Sequence, residues 1–149
     1  MHKADAIEIL ARGVLVKAGR LLVCHTKGAA NVYLPGGHVE FGERAEDSLR
    51  REIAEELGVP AKVGRFLGAM EHTFTQKKRR VCEINLVFAV TAAALNPARA
   101  PRSREDYIEF RWVPLSRLAD SALEPAPLRD LLPAWLAAGS RAARWASTY

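Results

Sequence analysis

Seven carboxylates crowd into one stretch of 23 residues, from Gly37 to Val59. They are Glu40, Glu43, Glu46, Asp47, Glu52, Glu55 and Glu56. With three arginines the stretch carries a net charge of −4, whereas the whole chain carries +5, so the remaining residues carry +9. Because Mg²⁺ and Mn²⁺ prefer oxygen ligands, one explanation of this acidic stretch is a divalent-metal site. The other explanation is a solvated acidic face of a helix.

The spacing of these acids predicts a helix over residues 44–57. At about 100° per residue, the acids of the motif E-x-x-E-E share one arc, where like charges repel each other. These acids are Glu52, Glu55 and Glu56. Arg50 and Arg51 project from other sides of such a helix, so we expect a divalent cation, rather than an arginine, between the glutamates.

The rest of the predicted helix agrees with this orientation. Its apolar residues form a second stripe, which we expect to pack on a core: Ala45, Leu49, Ile53 and Leu57. Gly58 is typical of the left-handed residue that ends a helix, with Pro60 just beyond it. At the other end Arg44 offers no Ser, Thr, Asn or Asp cap. The preceding turn contains Gly36 and Gly37, which let the backbone approach an ion or a phosphate closely.

Nine positions fit the Nudix box, G-x5-E-x7-R-E-U-x-E-E-x-G-U, in which U is a bulky aliphatic residue. They are Gly37, Glu43, Arg51, Glu52, Ile53, Glu55, Glu56, Gly58 and Val59. Every fixed position is matched, so the chain resembles the Nudix hydrolases, a MutT-like family that cleaves a nucleoside diphosphate linked to another moiety X. The resemblance implies an α/β fold, a Nudix-type α/β/α sandwich with a mixed β-sheet between helices.

The resemblance also implies roles for the matched residues and a cofactor, Mg²⁺ or Mn²⁺. The implied metal ligands are Glu52, Glu55, Glu56, the Gly37 carbonyl and, from the side, Glu40. The implied catalytic set is Glu52, Glu55, Glu105, Arg51 and Glu43. In this set Glu43 and Arg51 tie the loop to the helix, and Glu55 is another ligand or the general base.

Glu105 enters through a second similarity, to the downstream part of many Nudix domains. There an acidic loop precedes a strand such as Trp112-Val113-Pro114-Leu115, and a carboxylate of the loop assists as a ligand or as the base. Glu105 is the preferred candidate here and Asp106 the second. An acidic pair on the surface explains the same residues equally well.

Outside the box, the 149 residues suit one domain, 1–149, whose last residues 139–149 we expect to be frayed or attached to a partner. Apolar runs predict two β-hairpins, over residues 6–25 and 61–91. The second contains Lys77-Lys78-Arg79-Arg80, which is either a charged hairpin tip or a nucleic-acid contact. A last apolar run predicts a strand over residues 108–113, and apolar spacing in residues 128–138 predicts a closing helix that Gly139 ends.

Three further expectations concern chemistry and location. Cys24 and Cys82 lie in apolar runs without metal-ligand spacing, so we expect buried, reduced thiols. On the second hairpin Glu83 and Asn85 share one face, and they, Glu71 or His72 could face a substrate cleft. No run of 18 apolar residues and no secretory signal is present, so we expect a cytoplasmic protein.

The expected partner is a nucleotide-type small molecule, with no membrane and no nucleic acid, and a homodimer is compatible with the sequence. Candidates for the substrate are nucleoside triphosphates, sugar nucleotides such as ADP-ribose, and dinucleoside polyphosphates. The alternative function is a non-catalytic Nudix-fold module that binds a nucleotide or RNA. The complete set of box glutamates favours the enzyme.

Overall fold

The computed structural model describes residues 5–137 and 144–148. In chain order its elements are β1 (Ile7–Lys17), β2 (Arg20–Thr26), β3 (Gly36–His38), α1 (Ala45–Leu57), β4 (Lys62–Gln76), β5 (Arg79–Thr91), β6 (Ile108–Pro114), a 3-10 helix (Leu115–Asp120), α2 (Leu128–Ala137) and β7 (Trp145–Ser147). Both predicted hairpins, the predicted strand after residue 107 and both predicted helices are present.

The two strands of the first hairpin pair only next to their turn and then separate. Strands β1 and β2 pair at Val16 with Leu21 and at Lys17 with Arg20. Further along, β1 pairs with β3 and runs parallel to β5, whereas β2 pairs with β6. The chain between β2 and β3 enters this opening, where the Gly13 N–H donates to the Pro35 carbonyl (2.8 Å). The glycine turn before α1 is therefore held at the point where the two strands separate.

The second hairpin contains the basic run at and beside its turn. Strands β4 and β5 pair from Lys62 with Thr91 to Gln76 with Arg79. Lys77 and Lys78 lie between the strands with φ of 48° and 63°. Lys77 and Lys78 are therefore the tip of the hairpin, whereas Arg79 and Arg80 begin β5.

Helices cover both faces of the mixed sheet, whose strand order is β6-β2-β1-β5-β4-β7 with β3 also paired to β1. Alternation along β1 divides the core, because Ala11 and Leu15 pack with α1, whereas Val14 packs with α2. The predicted α/β/α sandwich with a mixed sheet is confirmed. None of the described helices is both long and apolar enough to cross a membrane.

Helix α1 follows the sequence prediction closely. Leu49, Ile53 and Leu57 are buried on its core face. The helix ends at Gly58, whose φ is 66° and whose N–H donates to the Ala54 carbonyl. Arg44 makes no side-chain cap bond, as expected.

Residues 144–148 correct the prediction of a frayed tail, whereas residues 139–143 and 149 lie outside the part of the chain that the structure describes. Trp145–Ser147 forms β7, which runs parallel to β4 and pairs with it from Ala69 to Glu71. Just beyond, the Thr148 hydroxyl lies 3.0 Å from His72 Nδ1 and accepts the Thr73 N–H (3.1 Å). An unpaired edge of a sheet attracts other strands, and β7 pairs with this edge at three residues. The predicted helix end at Gly139 falls outside the described residues.

Candidate active site

Arg51 fastens the loop before α1 to the helix. Its guanidinium donates to both oxygens of Glu43, from Nε at 2.8 Å and from Nη2 at 3.0 Å. The hydrogen bonds from Arg51 lower the pKa of Glu43 to about 2. In return, the bonds to Glu43 raise the pKa of Arg51 above its usual value. Such two-pronged pairs combine strength with fixed geometry. The contact predicted for Glu43 and Arg51 is present.

Arg51 also reaches the glutamates that it was expected to avoid. Its Nη1 lies 3.0 Å from Glu52 Oε1 and 3.4 Å from both Glu55 oxygens. The prediction that no arginine could serve these acids was wrong for Arg51. The helical angle fixes the direction of Cβ, but the long side chain carries its guanidinium back across the turn. Arg50 does pair elsewhere, with Asp47 at 2.6 Å.

Glu56 is the carboxylate that Arg51 does not neutralise. Its side chain is buried, with 7% of the residue exposed, and its Oε2 has no hydrogen-bond partner. Burial, and next the charge of Glu52, raise the pKa of Glu56 to about 8. A buried, unpaired carboxylate is costly. This side chain therefore favours a proton or a cation beside it.

Glu52 packs directly against the glycine turn. A Cβ placed on Gly37 would overlap the Glu52 carboxyl group. The side chain of Glu52 can therefore approach the backbone at residue 37 because that residue is glycine. Ser48 helps to fix the same contact, since its hydroxyl donates to the His38 carbonyl (3.1 Å). Gly37 and Glu52 are brought together as a shared ligand site would require.

The loop that carries Glu105 is attached to the end of α1. The Arg104 N–H donates to the Glu56 carbonyl (2.7 Å), and the Glu105 N–H donates to the Ser103 hydroxyl (3.0 Å). The charge of Glu105 is close enough to raise the pKa of Glu56. Burial raises the pKa of Tyr107, and so does the charge of Glu105. Glu105 thus lies beside the box glutamates.

Glu40 is the most exposed of the predicted glutamate ligands. Its side chain is 74% exposed, and its Oε1 lies 4.0 Å from Arg51 Nη2. Its backbone N–H donates to Glu43 Oε2 (3.1 Å). Glu40 therefore sits on the Glu43 side of Arg51.

The carboxylate and carbonyl oxygens of the site fit a hard divalent cation, although they are not yet arranged around a single ion position. Among the described residues, no three Asp, Glu, His or Cys side chains are already arranged to hold a metal ion. Arg51 now bonds two of the acids, Glu52 and Glu55. Oxygen donors, a net negative charge and the unpartnered Glu56 Oε2 match what Mg²⁺ or Mn²⁺ needs.

Sequence analysis missed Arg12, a cation beside the site. Its Nε donates to Asn85 Oδ1 (3.3 Å), its Nη1 donates to the Leu34 carbonyl (3.2 Å), and its guanidinium lies 5.5 Å from the centre of the Tyr33 ring. Its charge acts to lower the pKa of Glu56, against the stronger effect of burial. The signal that could have revealed it was an arginine in the middle of an apolar strand.

The cysteines take no part in this arrangement. Neither forms a disulfide bond; Cys24 is buried and Cys82 is half-buried. Burial raises the pKa of the Cys24 thiol far above its usual value, so the thiol stays protonated. The prediction of buried, reduced thiols is confirmed for Cys24, whereas Cys82 is reduced but only half-buried.

Comparison with known proteins agrees with this geometry. A model of the NUDIX domain matches residues 8–135. The chain belongs to the Nudix family. Nudix hydrolases generally use divalent metals, and the enzyme assignment is confirmed, because the relatives include a pyrophosphatase and a triphosphatase.

Two Nudix relatives and one solved structure illustrate the likeness. The chain is 31% identical over 127 residues to an ADP-ribose pyrophosphatase of Methanocaldococcus jannaschii, a match that covers 83% of this chain and 69% of that one. It is 32% identical over 125 residues to the nucleoside triphosphatase NudI of Escherichia fergusonii, covering 76% and 86%. The crystal structure of a MutT protein from Methanosarcina mazei Go1 shares the fold, with a TM-score of 0.69, 22% identity and coverage of 90% and 96%.

Proposed function

We propose that this Nudix enzyme hydrolyses a phosphoanhydride bond of a nucleoside diphosphate linked to another moiety, with Mg²⁺ or Mn²⁺ as cofactor. The observation that carries the proposal is Glu56, a buried carboxylate without a partner at Oε2, among further carboxylates. Such a group is stabilised by a cation, and a metal-bound diphosphate is the ligand that supplies one.

The proposed metal ligands are Glu52, Glu55 and Glu56, with the Gly37 carbonyl and Glu40 as further oxygen donors. Glu52 and Glu55 would exchange their bonds from Arg51 for the cation, whereas Arg51 keeps its two bonds to Glu43. When bound, the divalent cation neutralises the diphosphate charge and lowers the pKa of a coordinated water.

The proposed role of Glu105 is to take the proton of the attacking water. One new P–O bond forms from that water, the bridging P–O bond breaks, and the products are a nucleoside monophosphate and P-X. Glu105 is suited to this role because Ser103 and Arg104 hold its loop against the end of α1. Glu55 is the alternative base, since its side chain is half-exposed beside Glu52.

The substrate class stays broad at this level. The two relatives act, by their names, on ADP-ribose and on nucleoside triphosphates. Both belong to the class of nucleoside diphosphates joined to X, as do dinucleoside polyphosphates. We keep all three as candidates, and a cytoplasmic location and a homodimer stay predictions.

The test is hydrolysis of a substrate panel with and without metal. Nucleoside triphosphates, ADP-ribose and a dinucleoside polyphosphate are incubated with Mg²⁺, with Mn²⁺ or with EDTA, and the nucleoside monophosphate formed is measured by chromatography. We expect turnover with metal and none with EDTA. Glu56→Gln should lower kcat at least about 100-fold, the scale of removing one group that stabilises charge in the transition state.

Glu46→Gln is the matched control, since Glu46 lies on the same helix and pairs with Arg44 (2.8 Å). It should keep its activity. Full activity in Glu56→Gln would show that Glu56 is not part of the metal site. If a nucleotide binds but no panel member is cleaved with metal, the chain is a binding module instead.

A further inference from the structure

A cavity of about 270 Å³ opens on the α2 side of the sheet, beside Arg12. Its lining includes Tyr33, Phe74, Glu83 and Asn85. Sites for drug-sized ligands usually measure about 300–1,000 Å³, so this cavity suits one ring system rather than a whole nucleotide. Arg12 lines the cavity and donates from Nη1 to the Leu34 carbonyl (3.2 Å), three residues before Gly37, which packs against the Glu52 carboxyl group. The cavity and the proposed metal site are therefore neighbours.

Aromatic and aliphatic side chains form part of the cavity wall. The Phe74 ring is stacked on the His72 ring, with centroids 5.1 Å apart and planes 25° apart. Tyr33 lines the cavity and carries the Arg12 guanidinium near its ring. Val87 and Leu128 add aliphatic surface. Aromatic faces of this kind stack on nucleobases.

The polar part of the wall is a chain of three side chains. Arg12 Nε donates to Asn85 Oδ1 (3.3 Å), and Asn85 Nδ2 donates to Glu83 Oε2 (3.2 Å). The first bond fixes the orientation of the Asn85 amide, so its NH₂ group faces Glu83. Glu83 is thereby held as an acceptor, and a carboxylate has about four acceptor positions. Glu124, the other acid of the wall, is paired with Arg129 (3.2 Å).

We propose that this cavity binds the nucleobase of the substrate, and that Glu83 selects a base with two adjacent N–H donors, which is the edge of guanine. The inference rests on the proposed function and refines its substrate class. Guanine presents N1–H and the N2 amino group side by side, so both can donate to one carboxylate. The expected preference for guanine is the same whether the other moiety X is phosphate or a sugar.

The other bases match Glu83 less well. Adenine and cytosine each present an amino group beside a ring nitrogen that is an acceptor, which faces the carboxylate unfavourably. Uracil presents one N–H between two carbonyl oxygens. Hypoxanthine keeps the guanine ring and N1–H but lacks the amino group, so it isolates the second hydrogen bond. A two-pronged contact to a base edge is worth about a tenfold preference or more.

The experiment measures binding of GMP, IMP and AMP to the full chain with Mg²⁺ by calorimetry. These are product-type ligands, so no turnover is needed. We expect GMP to bind about tenfold or more tightly than IMP and AMP. Glu83→Gln should lower the GMP to IMP ratio below about threefold and favour AMP, because a Gln amide complements the donor and acceptor of adenine.

Glu71→Gln is the matched control, a glutamate on the adjacent strand β4 that is not among the residues lining the cavity. It should leave the ratios unchanged. The inference is overturned if GMP does not bind, if IMP or AMP binds as tightly as GMP, or if Glu83→Gln keeps the wild-type ratios. GMP selectivity without metal-dependent turnover would count against the proposed function alone, and turnover without base selectivity would count against this inference alone.

Discussion

At the scale of single residues, Glu56 links folding to the proposed chemistry. Its carboxyl group is held among other acids with one oxygen unpartnered, and burial raises its pKa from 4.5 to about 8. A group that is more basic in the folded chain than in the unfolded chain costs stability when it must ionise. The environment that would attract a cation is therefore unfavourable in the metal-free protein.

Replacing Glu56 by Gln should stabilise the metal-free protein in a pH-dependent way. Below pH 4.5 both states of the wild type hold the proton, so the carboxyl group costs nothing. Between pH 4.5 and about 8 the unfolded chain loses that proton more readily, so stability falls as the pH rises and then levels off. The advantage of Glu56→Gln should grow over this window. At pH 8 we expect at least about 2 kcal/mol, or about 4 °C or more in Tm.

Thermal unfolding in EDTA from pH 5 to 8.5 measures this difference. Glu46→Gln serves again as the control, since its carboxylate is paired with Arg44 near the surface. Curves for wild type and Glu56→Gln that run parallel at every pH would contradict the assigned environment.

Residue types could be predicted from the sequence, but the reach of long side chains could not. The box motif identified each acid and the bond between Glu43 and Arg51. It gave no information on whether the Arg51 guanidinium would also reach Glu52 and Glu55, because several rotatable bonds separate it from the helix. Arg12 was missed for another reason. Its role depends on Asn85, 73 residues away, and strand pairing alone brings the two together.

At the scale of elements, the C-terminal end of α1 and the loop after it support each other. Gly58 ends the helix with a φ of 66°, and a Cβ at this position would overlap the Arg104 guanidinium. Arg104 is bonded through its N–H to the Glu56 carbonyl. Arg104, which lies outside the acidic cluster, therefore determines how closely Glu105 approaches Glu56.

Gly58→Ala should reduce both stability and activity. The positive φ alone costs about 1–2 kcal/mol for a residue with a Cβ, and displacement of Arg104 adds to it. Gly19→Ala is the control, because Gly19 also has a positive φ (69°) but nothing within 4 Å of an added Cβ. Urea unfolding should give a larger loss for Gly58→Ala, and kcat should fall in that variant alone. Equal losses of stability and unchanged kcat would exclude the packing role of Arg104.

Periodicity predicted most elements, since the helices and hairpins are local and amphipathic. It did not predict β7, which has three residues and forms because β4 offers an edge to pair with. It also gave no sign that β1 and β2 separate after two residue pairs. That opening depends on the competing partners β5 and β6, which are far away in the sequence.

At the scale of the whole molecule, the acidic stretch is a local region whose charge would repel an anionic substrate, whereas the chain as a whole is basic. The box stretch carries −4 within a chain of +5. A divalent cation bound at the acids would reduce the charge of the box stretch from −4 to −2, within surroundings that carry +9. Positive potential around a site raises the rate at which an anionic substrate arrives, and salt screens the effect.

Salt should therefore slow substrate capture more than chemistry. Between about 0.01 and 0.3 M KCl the screening length falls from about 30 Å to less than 10 Å, so kcat/KM for the best panel substrate should fall about 3- to 10-fold. With Mg²⁺ kept saturating, kcat at saturating substrate should change little. Salt weakens the long-range attraction that brings the substrate to the site, and a bound substrate no longer depends on that attraction. Sucrose at matched osmolality controls for general solvent effects and should leave kcat/KM unchanged. A flat kcat/KM across the salt range would mean that the +9 outside the box does not attract the substrate, and that the excess charge has another cause.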